Sequence, residues 1–152
     1  EKCRRCEALG ATAAINYRTE DFAARVRALT DGRGVDVILD HIGAAYLEKN
    51  LGTLAPGGRL VLIGLMGGAR GEVNLAQLLI ARIAVIGSTL RSRPVAEKAR
   101  IVAAFLARFG DALARGRLRP QIDRVLPLAE AAEAHRLMQS SAHFGKIVLR
   151  VA

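Results

Sequence analysis

Tryptophan is absent from this 152-residue chain, and only two tyrosines and four phenylalanines are present. The core must therefore be aliphatic. Cysteine is almost as scarce: Cys3 and Cys6 are the only two. Such low usage fits a reducing compartment and predicts a cytoplasmic protein. A zinc knuckle needs a second ligand pair, and no cysteine follows Cys6. A C-x-x-C redox motif needs a strand before it and a helix opening at its first cysteine, whereas this pair lies inside Lys2–Leu9, which reads as helix. No apolar run reaches the ~18 residues of a transmembrane helix, and no signal-peptide pattern opens the chain. An initiator Met is also missing, which suggests a fragment or a processed product.

Acidic residues are in deficit, 14 against 23 basic, for a net charge of +9. Most of the excess is arginine. A nucleic-acid surface would cluster these residues and interleave them with aromatics. Here they are dispersed; Arg91 with Arg93, and Arg115, Arg117 and Arg119, come nearest to clusters. The composition argues against a nucleic-acid partner and leaves room for an anionic small ligand.

What is present is an alternation of helices and apolar strands. Lys2–Leu9 reads as the tail of a helix stopped by Gly10. Residues 11–16 read as a short strand. Thr19-Glu20-Asp21 is acidic and cap-like, and it starts an amphipathic helix with Phe22, Val26 and Leu29 on one face. Val35–Asp40 is an apolar strand, Ala44–Leu54 a helix, Pro56-Gly57-Gly58 a turn and Arg59–Gly64 a second strand. Leu75–Arg82 is a helix and Ile83–Gly87 a third strand. Strands apolar on both faces belong inside a parallel sheet covered on both sides. Repeated strand–helix–strand units predict an α/β fold with right-handed crossovers. Beyond Arg91 the rhythm changes. A long helix spans Ala96–Arg115, Pro120–Leu128 is extended, Leu128–Ser140 is helical, and Phe144–Val151 closes as a strand.

The strand–G-x-G-x-x-G–helix fingerprint of a dinucleotide site is missing. Gly32-Arg33-Gly34 precedes a strand instead of following one, and Gly64–Gly68 follows a strand with the wrong spacing. Open α/β sheets bind ligands at the C-terminal ends of their strands. Three such ends are informative: Asn16-Tyr17, Asp40-His41-Ile42-Gly43, and Gly64-Leu65-Met66-Gly67-Gly68. Gly43 and Gly64 would let a flat ligand lie against the backbone, or are turn glycines. His41 is a candidate proton donor or a lining residue, His135 reads as structural, and His143 falls in a loop. No Ser-His-Asp arrangement and no metal-ligand spacing is evident.

Three strings carry a family likeness: Leu39-Asp-His-Ile-Gly-Ala-Ala-Tyr-Leu-Glu-Lys-Asn50, Gly57-Gly-Arg-Leu-Val-Leu-Ile-Gly-Leu-Met-Gly-Gly68 and Thr89-Leu-Arg-Ser-Arg93. With Leu9-Gly-Ala, Asn16-Tyr17, Ala134-His135 and Gly145-Lys-Ile-Val148, the chain resembles the zinc-independent quinone oxidoreductases related to zeta-crystallin. Their p53-inducible branch, in the medium-chain dehydrogenase/reductase superfamily, is the nearest in pattern. The resemblance implies an incomplete Rossmann-type parallel sheet over residues 1–92. It implies a return to the GroES-like catalytic domain over residues 93–152. The first strand, the glycine loop and the second strand would lie outside this chain.

The same resemblance implies NADPH as cofactor. Lys2 and Tyr17 match positions that hold the adenosine 2′-phosphate. Gly64 and Leu65 match the loop beside the nicotinamide ribose, and Thr89, Leu90 and Arg91 the segment at the nicotinamide end. His143 and Phe144 match a late loop that closes over the cofactor, although relatives usually carry an amide side chain where His143 stands. Hydride would pass to a quinone or an activated alkene, without zinc, and no residue here is assigned as a catalytic acid. Relatives dimerise through the sheet edge matching Ile83–Gly87. An enoyl or alkene reductase of the same superfamily is the second enzyme reading. A truncated, inactive dimerisation or binding module is the reading from another class, and the chain by itself is expected to turn over little or nothing.

Overall fold

A computed structural model describes residues 1–151. The chain forms two compact units, one over Cys3–Arg93 and one from Pro94 onward. The first contains helices α1 (Lys2–Ala8) and α2 (Phe22–Leu29), strand β1 (Val35–Asp40), a single 3-10 turn at Ala44–Tyr46 and helix α3 (Leu47–Thr53). Strand β2 (Leu54–Leu62), helix α4 (Leu75–Ala81) and strand β3 (Ala84–Gly87) complete it. Its sheet is parallel, in the order β1-β2-β3. The second unit has helix α5 (Val95–Ala114), strand β4 (Ile122–Pro127), a 3-10 turn at Leu128–Glu130, helix α6 (Ala131–Gln139) and strand β5 (Lys146–Arg150). Its two strands also pair in parallel. No helix among the described residues is long and apolar enough to cross a membrane. The expected α/β class with an incomplete parallel sheet is what the chain adopts.

The first unit is organised by local chemistry. Asp21 caps α2, its carboxylate accepting from the N–H groups of Ala23 at 2.8 Å and Ala24 at 3.4 Å. A side-chain acceptor there satisfies donors that a helix start leaves orphaned. The same carboxylate meets Lys49 of α3 at 3.1 Å, and the Phe22 and Tyr46 rings pack as a tilted pair with centroids 5.0 Å apart. Gly34 turns the chain into β1 at φ +85°, and a Cβ there would lie 2.4 Å from the Thr53 carbonyl oxygen. Only glycine permits that approach.

The core of this unit is Leu51, Leu54 and Leu60, the last fully buried, with Val35, Ile38, Leu47, Leu62, Leu78 and Ile83 packed around it. It lies on the face of the sheet that α3 and α4 cover. Side chains alternate across a strand, so Ile38, Leu60 and Val85 share one face while Leu39, Val61 and Ile86 share the other. Leu39 is 65% exposed and Val37 50%. Within this unit the sheet is therefore covered on one side, not on both as its apolar strands predict.

Two further expectations are corrected. Residues 11–16 join no strand ladder among the described residues. Two of their donors go to carboxylates instead: the N–H of Ala14 donates to Glu7 Oε1, and that of Asn16 to Glu20 Oε1, both at 3.2 Å. Pro56-Gly57-Gly58 is no free-standing turn. It lies within β2, where the register jumps from Val35↔Leu54 to Val37↔Arg59. The excess residues form a bulge, tolerated because Pro56 has no N–H to lose and Gly57 sits at φ +76°.

Candidate functional site

Parallel strands deliver their C-terminal ends to one side of a sheet. There β1 ends on Asp40, only 5% exposed. A buried carboxylate needs compensating donors. The N–H groups of Ile42 and Gly43 supply them, reaching Oδ1 at 3.0 Å and Oδ2 at 2.7 Å. This fixes the β1 loop, and the β2 loop is stitched to it. The N–H of Met66 donates to the His41 carbonyl at 3.1 Å and that of Gly67 to Ile42 at 2.6 Å. In return the N–H of Ala44 donates to the Gly68 carbonyl at 3.0 Å and that of Ala45 to Gly67 at 3.3 Å.

Glycines make this stitching possible. A Cβ on Gly43, at φ +83°, would lie 2.7 Å from the Gly68 carbonyl oxygen; one on Gly64 would lie 3.0 Å from that of His41. One on Gly67 would strike the Ile42 side chain at 2.7 Å. The space their missing side chains leave is filled by the neighbouring loop.

Beside this double loop, the segment after β3 closes on itself. The Arg93 guanidinium Nε donates to the Thr89 carbonyl at 2.7 Å, and the Arg93 N–H to that of Leu90 at 3.3 Å. A cavity of about 620 Å³ lies between the β2 and β3 ends, lined by Ile63, Gly64, Leu65, Ser88, Thr89 and Arg93 among others. A second, of about 520 Å³, shares Ile63, Ser88 and Thr89 with it and adds Leu90 and Arg91. Gly64, Leu65, Thr89, Leu90 and Arg91 are thus brought together around two adjoining cavities. A third, of about 300 Å³, opens beside β1 and is lined by Phe22, Val26, Ile38, His41, Tyr46 and Asn50 among others. Asn50 is 3% exposed, and its Nδ2 has no hydrogen-bond partner.

The remaining sequence-predicted residues fall on other elements. Lys2 opens α1 and is exposed, and Tyr17 is 65% exposed in the turn before α2. His143 and Phe144 belong to the second unit, in the loop before β5. The N–H of Phe144 donates to Asp123 Oδ1 at 2.9 Å, while the buried His143 Nδ1 has no partner. Sequence reasoning missed Asp40 as the anchor of the β1 loop, and Ser88, Arg93 and Asn50 as lining residues. An aspartate at a strand end, followed closely by glycine, is the signal that could have found the first of these. Ser88 and Arg93 flank the Thr89–Arg91 segment and carry no separate signal.

The two adjoining cavities combine an apolar floor with hydroxyls, backbone groups and guanidinium charge. That donor set fits the amide, ribose and anionic groups of a nicotinamide dinucleotide. Among the described residues no three His, Cys, Asp or Glu side chains are grouped to hold a metal ion.

Comparison with known proteins converges on one family. The profile described as "Zinc-binding dehydrogenase" matches residues 9–149. A 2-haloacrylate reductase from a Burkholderia species is 35% identical over 98% of this chain and 45% of its own length. A quinone oxidoreductase of Pseudomonas aeruginosa is 33% identical over 98% of this chain and 46% of its own. A solved structure titled as an NAD-dependent alcohol dehydrogenase superposes with a TM-score of 0.78 at 38% identity, over 99% of this chain and 41% of that one. The chain thus spans less than half the length of these relatives. The family description names zinc; among the described residues no three His, Cys, Asp or Glu side chains are grouped to hold it. On the match over residues 9–149, the chain belongs to the zinc-binding dehydrogenase family, in the superfamily that holds the quinone oxidoreductases and enoyl reductases.

Proposed function

We propose that the intact protein passes hydride from a reduced nicotinamide dinucleotide to an alkene conjugated to a carbonyl or carboxylate group. The observation that carries this reading is the likeness to the 2-haloacrylate reductase, which runs over 98% of the chain. A 2-haloacrylate is a carbon–carbon double bond conjugated to a carboxylate. Alkene reduction, the second reading of the sequence, is therefore favoured over quinone reduction. The likeness to the Pseudomonas quinone oxidoreductase keeps a quinone as the alternative acceptor.

When bound, the dinucleotide supplies the hydride. The chain's own contribution is placement and exclusion of water. Gly64 and Leu65 would bear on the ribose beside the nicotinamide, and Thr89, Leu90 and Arg91 on the nicotinamide end. Lys2 and Tyr17 would hold a 2′-phosphate, the lysine as a point charge and the tyrosine as hydroxyl and ring face. His143 and Phe144 would close over the cofactor. Two copies would pair along β3, whose residues are all exposed.

Steady-state assay of the intact enzyme with 2-chloroacrylate and with 1,4-benzoquinone, each with NADPH and NADH, tests this. The expected result is a higher kcat/KM for the alkene, with NADPH preferred and that preference reduced in Lys2→Ala. Turnover of the quinone alone would replace the proposal with its alternative. An NADH preference that Lys2→Ala leaves untouched would remove Lys2 and Tyr17 from the site.

A further inference from the structure

Cys3 and Cys6 have no part in the function proposed above. Both are free thiols in α1, both partly buried, while every other residue of that helix is exposed. Their spacing of three residues places them on one helix face. The thiol pair is therefore the whole inward face of α1.

Geometry selects what such a pair can hold. Neighbours at this spacing have Cβ atoms roughly 5–6 Å apart. A direct disulfide needs about 3.5–4.5 Å, so oxidation would distort the helix. An ion bridging two sulfurs, with each metal–sulfur bond about 2.3 Å long, spans up to about 4.6 Å between them. That suits the undistorted helix. Zinc requires about four ligands, and the described residues offer no cluster of three or more His, Cys, Asp and Glu. Thiolates select soft ions, and copper(I) is the soft ion content with two ligands in a line. Binding releases both thiol protons to solvent and forms two copper–sulfur bonds, with no change of oxidation state. The complex keeps one negative charge, in a helix that carries Lys2, Arg4 and Arg5 against Glu7.

We propose that Cys3 and Cys6 form a two-thiolate clip for a soft, two-coordinate metal ion of the copper(I) kind. The test is anaerobic titration of the reduced chain with copper(I) in competition with a chromogenic chelator, bathocuproine disulfonate. One equivalent should be retained, and Cys3→Ser and Cys6→Ser should each weaken retention roughly 100-fold. Undiminished retention by the Cys3→Ser, Cys6→Ser double variant would overturn the proposal. A second measurement needs no variant. Bound copper should shield both thiols of the unaltered chain from N-ethylmaleimide together, as counted by intact mass. Unchanged alkylation of both in the presence of copper would also overturn it.

Discussion

At the scale of single residues, Asp40 does the most for the candidate site. Asp40→Ala would leave the N–H groups of Ile42 and Gly43 without their acceptors. The expected loss is about 1–3 kcal/mol, measurable by urea unfolding, with Asp40→Asn falling between it and the parent. Two exposed carboxylates respond to pH instead. Asp21 is held below the ordinary carboxylate range by its hydrogen bond to Lys49 and by the α2 N–H of Ala23. Asp36 is held low by the Arg33 guanidinium, both of whose Nη atoms lie 2.8 Å from its oxygens. A carboxylate with a depressed folded-state pKa contributes stability above its unfolded value of about 4, and loses it as pH falls through the folded value. Carboxyl NMR titration should place both midpoints below those of an unfolded control, with Asp21 moving up toward it in Lys49→Met. The stability change should be small, because water screens both pairs.

At the scale of elements, β2 is the keystone, since it pairs with strands on both sides and supplies the fully buried Leu60. Leu60→Ala should cost about 2–5 kcal/mol, read as a lower thermal midpoint. Val85→Ala, on the same face but at an exposed edge, should cost far less. Much of this layer was legible in the sequence. The acidic, cap-like Thr19-Glu20-Asp21 announced the start of α2, and the run Arg-Leu-Val-Leu-Ile read as an inner strand. Residues 11–16 were misread because a strand is a property of two segments. Their place between the first helix and the acidic cap was visible, but the carboxylates of Glu7 and Glu20 that take the Ala14 and Asn16 N–H groups were not. The β2 bulge was hidden for a related reason. Pro-Gly-Gly signals a turn, and only the pairing with β1 shows the turn absorbed into a strand. Gly64, Leu65 and Thr89–Arg91 were found through family resemblance, since no spacing rule joins segments that meet only at the ends of parallel strands.

At the scale of the whole molecule, the open sheet face dominates. Val37, Leu39, Ile63 and Ile86 are each at least 42% exposed. Apolar surface of this kind promotes association. The isolated chain should show concentration-dependent oligomers by light scattering and bind a hydrophobic dye, and Leu39→Lys should reduce both without loss of helical signal. The stitched loops carry one more consequence. The β1 loop lines the small cavity beside Phe22 and Asn50, while the β2 loop lines the large one beside Thr89. Four backbone hydrogen bonds between them leave neither loop free to move alone. Occupancy on one side is therefore expected to be felt on the other. A ligand seated against Gly64 and Leu65 should perturb the amide resonances of Ile42 to Ala45, and a small aromatic compound lodged beside Asn50 should shift those of Met66 and Gly67 in return.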